Sequence, residues 1–353
     1  MDRIDIKSLN LQELKSILEQ LGEKPFRAGQ IYSWIHQKLV DSFDDMTNVA
    51  VSLREKLKDN FEIINIEAVQ IMKSEIDGTT KYLFNLNDSN VIESVLMKYK
   101  HGNSVCLSTQ AGCRQGCRFC ASTIGGLDRN LTASEMLDQV YKITKISGEK
   151  ISNIVLMGTG EPLDNYDNVI RFIKGISDEN GLHISQRNIT MSTCGLVPEI
   201  LQLGQEGLQI TLAISLHAPN DTLRKQIMPI AGKYSISELI DACRHYFEST
   251  KRRITFEYSL IRGFNDSMEN AKELGKLIGK LNCHVNLIPI NPIEERDYRQ
   301  TERKDVESFR SALERQGVNA TVRREMGRDI KGACGQLRKT HRDEITKNQG
   351  GIL

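Results

Sequence analysis

From about Val105 onward the chain alternates short apolar runs of β type with helical stretches, the runs falling at residues 105–107, 154–157, 189–191, 212–215, 254–258 and 285–290. Six such runs separated by helices predict parallel βαβ units rather than a sandwich of hairpins. Parallel α/β folds gather their chemistry at the carboxyl ends of the strands, so the residues just after each run are the first candidates for a site.

Upstream the pattern changes twice. Over residues 1–62 apolar positions recur at helical spacing: Leu14, Ile17, Leu18 and Leu21, then Ile31, Trp34 and Ile35, then Leu53 and Leu57. A small helical domain is expected there. Residues 63–98 turn β-like, with Thr80-Lys81-Tyr82-Leu83-Phe84 and Val91-Ile92-Glu93-Ser94-Val95-Leu96 flanking the turn signal Asn87-Asp88-Ser89-Asn90. This reads as a hairpin linking the helical domain to a catalytic domain at 99–342, with a polar tail at 343–353.

No stretch approaches the roughly 20 consecutive apolar residues that span a bilayer, and the opening MDRIDIKSLN is too polar for a secretory signal. A cytoplasmic protein without a membrane partner, monomeric by default, is expected. In that reducing compartment eight cysteines read as ligands, catalysts or small buried hydrophobes rather than staples. The net charge of +1 announces no overall attraction to nucleic acid. Basic residues nevertheless cluster at Arg323, Arg324, Arg328, Lys331, Arg338, Lys339 and Arg342, and again at Lys251, Arg252 and Arg253. Such a run is either a solvated face or a phosphate-binding surface.

Just after the first run, Gln110-Ala111-Gly112-Cys113-Arg114-Gln115-Gly116-Cys117-Arg118-Phe119-Cys120 places three cysteines at C-x3-C-x2-C spacing in a glycine-bearing loop. Three thiolates around one metal site leave a position open for substrate, whereas structural zinc sites close with a fourth ligand that is not evident here. After the second run comes Met157-Gly158-Thr159-Gly160-Glu161-Pro162. Its glycines let backbone approach a ligand, and Glu161 can accept hydrogen bonds from an ammonium group. Ser192, the run Ser215-Leu216-His217, and Asn291 follow at later strand ends. Singly each reads as a cap or turn residue; their recurrence is more economically explained by one shared ligand. Of the remaining cysteines, Cys243 and Cys283 read as buried hydrophobes and Cys194 as structural. Cys106 lies in the first run, and Cys334 in the loop Gly332-Ala333-Cys334-Gly335-Gln336-Leu337 beside cationic residues, a setting that favours thiolate character.

The three-cysteine spacing resembles the radical S-adenosylmethionine (SAM) motif. Together with Phe26-Arg27-Ala28-Gly29-Gln30, Cys106, Gly158-Thr159-Gly160-Glu161-Pro162-Leu163, Asn165-Tyr166-Asp167-Asn168-Val169, Ser192-Thr193-Cys194-Gly195-Leu196-Val197-Pro198, Ala213-Ile214-Ser215-Leu216-His217-Ala218-Pro219-Asn220-Asp221 and Ala333-Cys334-Gly335-Gln336-Leu337, it makes nearly the whole chain similar to the RlmN-type dual-specificity RNA adenine methyltransferases. The resemblance implies a partial (β/α)6 radical SAM barrel with a helical N-terminal domain and a β-hairpin extension. It implies a [4Fe–4S] cluster on Cys113, Cys117 and Cys120, and SAM held by Gly160, Glu161, Ser192, Ser215, Leu216, His217 and Asn291.

It further implies that Cys334 carries the methyl group, that Cys106 resolves a covalent RNA adduct through a transient disulfide, and that Glu93 accepts a proton. The implied substrates are an adenosine in the peptidyl-transferase region of 23S rRNA and the adenosine beside the anticodon in tRNA, methylated at carbon 2. Electrons would come from a donor such as flavodoxin or ferredoxin. The nearest alternative is a Cfr-type relative that methylates carbon 8; Glu161-Pro162-Leu163 and the run from Asn165 to Val169 favour carbon 2. A non-catalytic iron–sulfur RNA-binding protein is the more distant alternative, and it gives Cys106 and Cys334 no role.

Overall fold

The computed structural model describes residues 3–338 and the backbone of 340–341. Lys339, Arg342 and the 343–353 tail lie outside the described residues. Three helices open the chain: α1 (Leu11–Gln20), α2 (Phe26–His36) and α3 (Val51–Asn60). Asn10 caps α1 through a capping box with Glu13, satisfying backbone N–H groups that no helical turn can reach. Leu14, Leu18, Ile31, Ile35, Leu53 and Leu57, picked out by their spacing, are buried in an apolar cluster of their own that runs from Ile6 to Phe61.

This helical unit docks on α4 (Ala133–Ser147) through buried polar contacts. Lys7 Nζ meets Asp138 Oδ1 at 2.5 Å, with both side chains 1% exposed. The second Asp138 oxygen accepts the Ile66 N–H at 2.8 Å, and His36 Nδ1 lies 2.7 Å from the Tyr141 hydroxyl.

The rest is built on an eleven-stranded sheet. Its strands, numbered within this sheet, are β1 (Glu67–Lys73), β2 (Thr80–Asn85), β3 (Asn90–Tyr99), β4 (Gly102–Cys106), β5 (Ile151–Leu156), β6 (Ile189–Thr193), β7 (Thr211–Ser215), β8 (Ile254–Leu260), β9 (Cys283–Pro289) and β10 (Ala320–Val322). They lie side by side in that order, and Thr340–His341 adds to β3. Pairing is antiparallel from β1 to β4 and parallel from β4 to β10.

All six apolar runs fall on strands β4 to β9, three of them reaching one residue past the strand end. The hairpin is β2–β3, turned at Ser89, whose φ of 68° suits the short polar side chain. It continues the main sheet through β3–β4 and shares its apolar core, with Tyr82, Phe84, Ile92 and Leu96 in the same cluster as Val105 and Ile154. Among the described residues no helix is long and apolar enough to cross a membrane.

Candidate active site

The segment after β4 forms a closed loop. Gln110–Gly112 pairs antiparallel with Leu127–Asn130, and Cys113 N–H donates to Gly126 O at 3.0 Å. Gly112 is obligatory at the neck of the loop: its φ is +82°, and a Cβ there would fall 2.0 Å from Gly126 O. Between these ties Cys113, Cys117 and Cys120 all line one cavity. Burial pushes the Cys113 thiol up to about 12 and the Cys117 thiol well above its usual range, and it raises Cys120 as well. Thiols so buried ionise only against a cation that repays the desolvation, as metal ligands do. Three cysteines lining one cavity match a three-thiolate set that holds an iron–sulfur cluster with one iron left open, whereas a closed zinc site needs a fourth ligand.

The strand ends supply the opposite wall. Gly160 has φ +112°, and a Cβ would lie 2.7 Å from Gln110 Cβ and 2.8 Å from Gln110 N, so only glycine lets the turn after β5 press against the cysteine loop. Glu161, 4% exposed, is held by backbone: Oε2 accepts the Cys194 N–H at 2.7 Å and Oε1 the Leu163 N–H at 3.1 Å. Burial still holds its carboxyl above the usual range.

Ser192 and Ser215, on β6 and β7, face each other with hydroxyls 3.2 Å apart. His217 accepts the Ser259 N–H at Nδ1, 2.9 Å, and its ring packs edge-on against Phe119 at 4.7 Å. Burial lowers its pKa to about 3, so the ring is neutral and carries its proton on Nε2. Asn291, just past β9, donates to Cys334 O at 3.0 Å and leaves its buried Oδ1 without a partner among the described residues. Glu161, Gly160, Ser192, Ser215, His217 and Asn291 therefore share the cavity of the three cysteines. Leu216 does not line it; its side chain is in the core, and its N–H donates to Glu257 O at 3.1 Å.

A second cavity opens next to the first, lined by Cys106, Tyr99, Met326 and Leu337. Cys334, Asn291, Met157, Ile288 and Arg323 border both. The Cys334 loop is sewn onto the cysteine loop, Ala121 N–H donating to Gly335 O at 2.8 Å and Ser122 Oγ to Leu337 O at 2.7 Å. Desolvation foremost, with the charge of Cys334 second, pushes the Cys106 thiol up to about 12 against the opposing charge of Arg323. Glu93 lines neither cavity. It is buried on β3, its Oε1 paired with Lys81 Nζ at 3.1 Å and its Oε2 accepting the Arg338 N–H at 3.0 Å. Cys194 also lines the first cavity, while Cys243 and Cys283 are buried away from it.

Arg323 and Glu257 escaped the sequence reading as site residues. Glu257 has its Oε1 hydrogen-bonded by Asn286 at 2.9 Å and its Oε2 3.7 Å from Arg323. A carboxylate inside the wholly buried strand Ile-Thr-Phe-Glu-Tyr-Ser-Leu was the available signal. Arg323 follows β10, whose three residues are too few to register as a strand, so along the chain it reads only as part of the basic run.

Comparison with known proteins agrees with this geometry. Residues 107–275 match the radical SAM superfamily, and residues 4–63 match the ribosomal RNA large subunit methyltransferase N-terminal domain. The crystal structure of a radical SAM methyltransferase from Sphaerobacter thermophilus superposes with a TM-score of 0.90 at 43% identity, covering 95% of this chain and 99% of that one. The fold and the three-cysteine site thus define a radical SAM methyltransferase.

Probable dual-specificity RNA methyltransferases RlmN from Lachnospira eligens and Clostridium novyi are 61% and 56% identical, over 98% and 96% of this chain and 99% and 98% of theirs. The chain belongs to the RlmN family of dual-specificity RNA methyltransferases, whose radical SAM chemistry implies a [4Fe–4S] cluster and SAM.

Proposed function

We propose that this enzyme methylates carbon 2 of an adenine in 23S rRNA and in tRNA, with Cys334 as methyl carrier, Cys106 as resolving thiol and Glu93 as proton acceptor. The observation that carries the reading is the position of Cys334, which borders both the cavity of the three cysteines and the cavity containing Cys106. Carbon 2 lies between two ring nitrogens and is not nucleophilic, so a methyl group must be delivered by a radical route.

Held by Cys113, Cys117, Cys120 and the strand-end residues, the cluster and SAM would supply the 5′-deoxyadenosyl radical that opens this route. Cys334, as thiolate, takes a methyl group by displacement. Hydrogen-atom loss from that S-methyl group lets its carbon bond to the adenine, leaving the RNA attached through the Cys334 sulfur. The adduct's unpaired electron would return to the cluster and Glu93 receives the ring proton; the Cys106 sulfur then attacks that of Cys334 as the carbon–sulfur bond breaks, and the released methylene carbon takes up a proton to complete the methyl group. The resulting disulfide is reduced before the next turnover. Arg323, bordering both cavities, offsets negative charge on either thiol.

The target base must leave its stack to reach Cys334. Arg303, Arg324 and Arg328 at the second cavity suit phosphate contacts at its mouth. Phe26, 60% exposed with the Arg27 guanidinium 4.8 Å over its ring, suits stacking by the helical domain. The test is anaerobic reconstitution with iron and sulfide, then incubation with SAM, a strong reductant and RNA. Mass spectrometry is expected to find 2-methyladenine and deoxyadenosine, with Cys106→Ala trapping a covalent protein–RNA adduct and Cys334→Ala forming none. A methyl group on carbon 8 moves the enzyme to the Cfr-type reaction. Deoxyadenosine formation without any adduct in Cys106→Ala overturns the carrier and resolver roles.

A further inference from the structure

Glu257, 3% exposed on a strand whose seven residues are all buried, has one carboxylate oxygen held and one left open. A chain of hydrogen bonds orients the group: Thr321 Oγ1 donates to Asn286 Oδ1 at 3.0 Å, and Asn286 Nδ2 donates to Glu257 Oε1 at 2.9 Å. Oε2 is buried and has no hydrogen-bond partner among the described residues. Arg323 Nη1 lies 3.7 Å from it, beyond hydrogen-bonding reach, and turns instead to Met157 Sδ at 3.4 Å. A carboxylate serving only the core would have both oxygens satisfied, because a buried acceptor left without a donor is destabilising.

The missing donor has room to enter, since Glu257 lines the first cavity. Its register partner on β7 is Ser215, and Ser192, Ser215 and Ser259 line the same cavity. A bound SAM offers three kinds of donor: the ammonium group, the ribose diol and the adenine amino group. The ammonium falls to Glu161, in the turn pressed against the cysteine loop. Of the other two, the diol suits these surroundings better. Serine hydroxyls both donate and accept, so they can exchange hydrogen bonds with the diol, and α/β folds that bind dinucleotides set a carboxylate on the ribose hydroxyl in the same way.

We infer that Glu257 binds the ribose diol of SAM through its open Oε2, with Asn286 as the positioning residue that turns this oxygen toward the cofactor. This role rests on the first cavity being the SAM site.

The experiment is anaerobic calorimetry on the full-length reconstituted protein with two probes, S-adenosylhomocysteine, which has no methyl group to give Cys334, and its 2′,3′-dideoxy analogue. Wild type is expected to bind the analogue at least about tenfold more weakly, as hydrogen bonds to a charged group are lost. Glu257→Gln, which can still accept from Asn286, is expected to weaken S-adenosylhomocysteine by a similar factor and to bind the two probes almost alike. Glu257→Asp keeps the charge near Arg323 but withdraws it by one carbon; it is expected to lose the preference for the diol as well, and it carries the test if the glutamine variant does not fold. Equal binding of both probes by wild type overturns the inference without any variant. So does a folded variant that keeps the wild-type preference, which leaves Oε2 to Arg323 or to the adenine amino group. If neither variant folds, Glu257 is a structural residue and the inference fails. Wild type that binds neither probe refutes the SAM assignment of the cavity instead.

Discussion

Replacing Lys81 by Met isolates the buried pair beneath the Cys334 segment. Lys81 and Glu93 sit on adjacent strands with side chains 7% and 5% exposed and 3.1 Å between Nζ and Oε1, and Lys81 also donates to Lys331 O at 3.3 Å. Without the ammonium, the Glu93 carboxylate keeps only the Arg338 N–H. Removing one partner of a buried pair costs about 3–5 kcal/mol. At about 2.1 cal/mol/K per residue, 353 residues give an unfolding entropy near 0.7 kcal/mol/K, so the melting temperature falls by about 4–7 °C.

The loss depends on pH. Burial already holds Glu93 above its ordinary value of 4.5, with Lys81 foremost among the influences lowering it; the variant raises it further. A carboxyl with a raised folded-state pKa contributes stability below its unfolded value and loses it as pH climbs through the folded one. The deficit is therefore small near pH 4 and grows toward neutrality. Removing both charges restores most of it, because an uncharged pair leaves no buried ion. Thermal unfolding of the cluster-free protein across pH, for wild type, Lys81→Met, Glu93→Gln and the double variant, measures this. A deficit that ignores pH, or a double variant that loses the sum of the two singles, refutes the reasoning.

Two further outcomes follow from the first cavity. Gly160→Ala drives a Cβ to 2.7 Å from Gln110 Cβ and displaces Glu161, whose N–H donates to Gln110 Oε1 at 2.8 Å. SAM binding to the reconstituted protein, read by calorimetry, should weaken at least roughly tenfold, about 1.4 kcal/mol; wild-type affinity contradicts the assigned fit. His217, its pKa lowered from 6.5 to about 3, contributes stability that is fully present above about pH 6.5 and is lost as pH falls from there toward about 3. His217→Gln should therefore lose less stability than wild type between neutral and acid pH, and a parallel pH dependence for the two proteins shows that the ring titrates normally.

Much of this architecture was readable along the chain. Strands β4 to β9 are buried among helices, so they appear as continuous apolar runs, and the N-terminal helices show in the spacing of Leu14 and Leu18 or Ile31 and Ile35. Strand β1, largely half-exposed or exposed, and the three-residue β10 lack that signature. Cys113, Cys117 and Cys120 were legible because a single loop presents them, and Glu161 because glycines mark the turn that carries it. Leu216 shows the limit of motif reading: the motif runs through it, but its side chain faces the core.

What chain order left undetermined is the set of meetings between distant segments. That Cys334 borders the cavity of Cys106, that Glu93 is buried against Lys81 and the Arg338 N–H, and that Arg323 turns inward between two cavities all follow from the packing of β2, β3, β10 and the loop after β10. Local spacing determines what one turn of backbone can bring together. Contacts between residues far apart exist only after the whole sheet has repaid the entropy of closing the chain between them, and the burial that shifts the charges of Glu93, His217 and Cys106 arises in that same step.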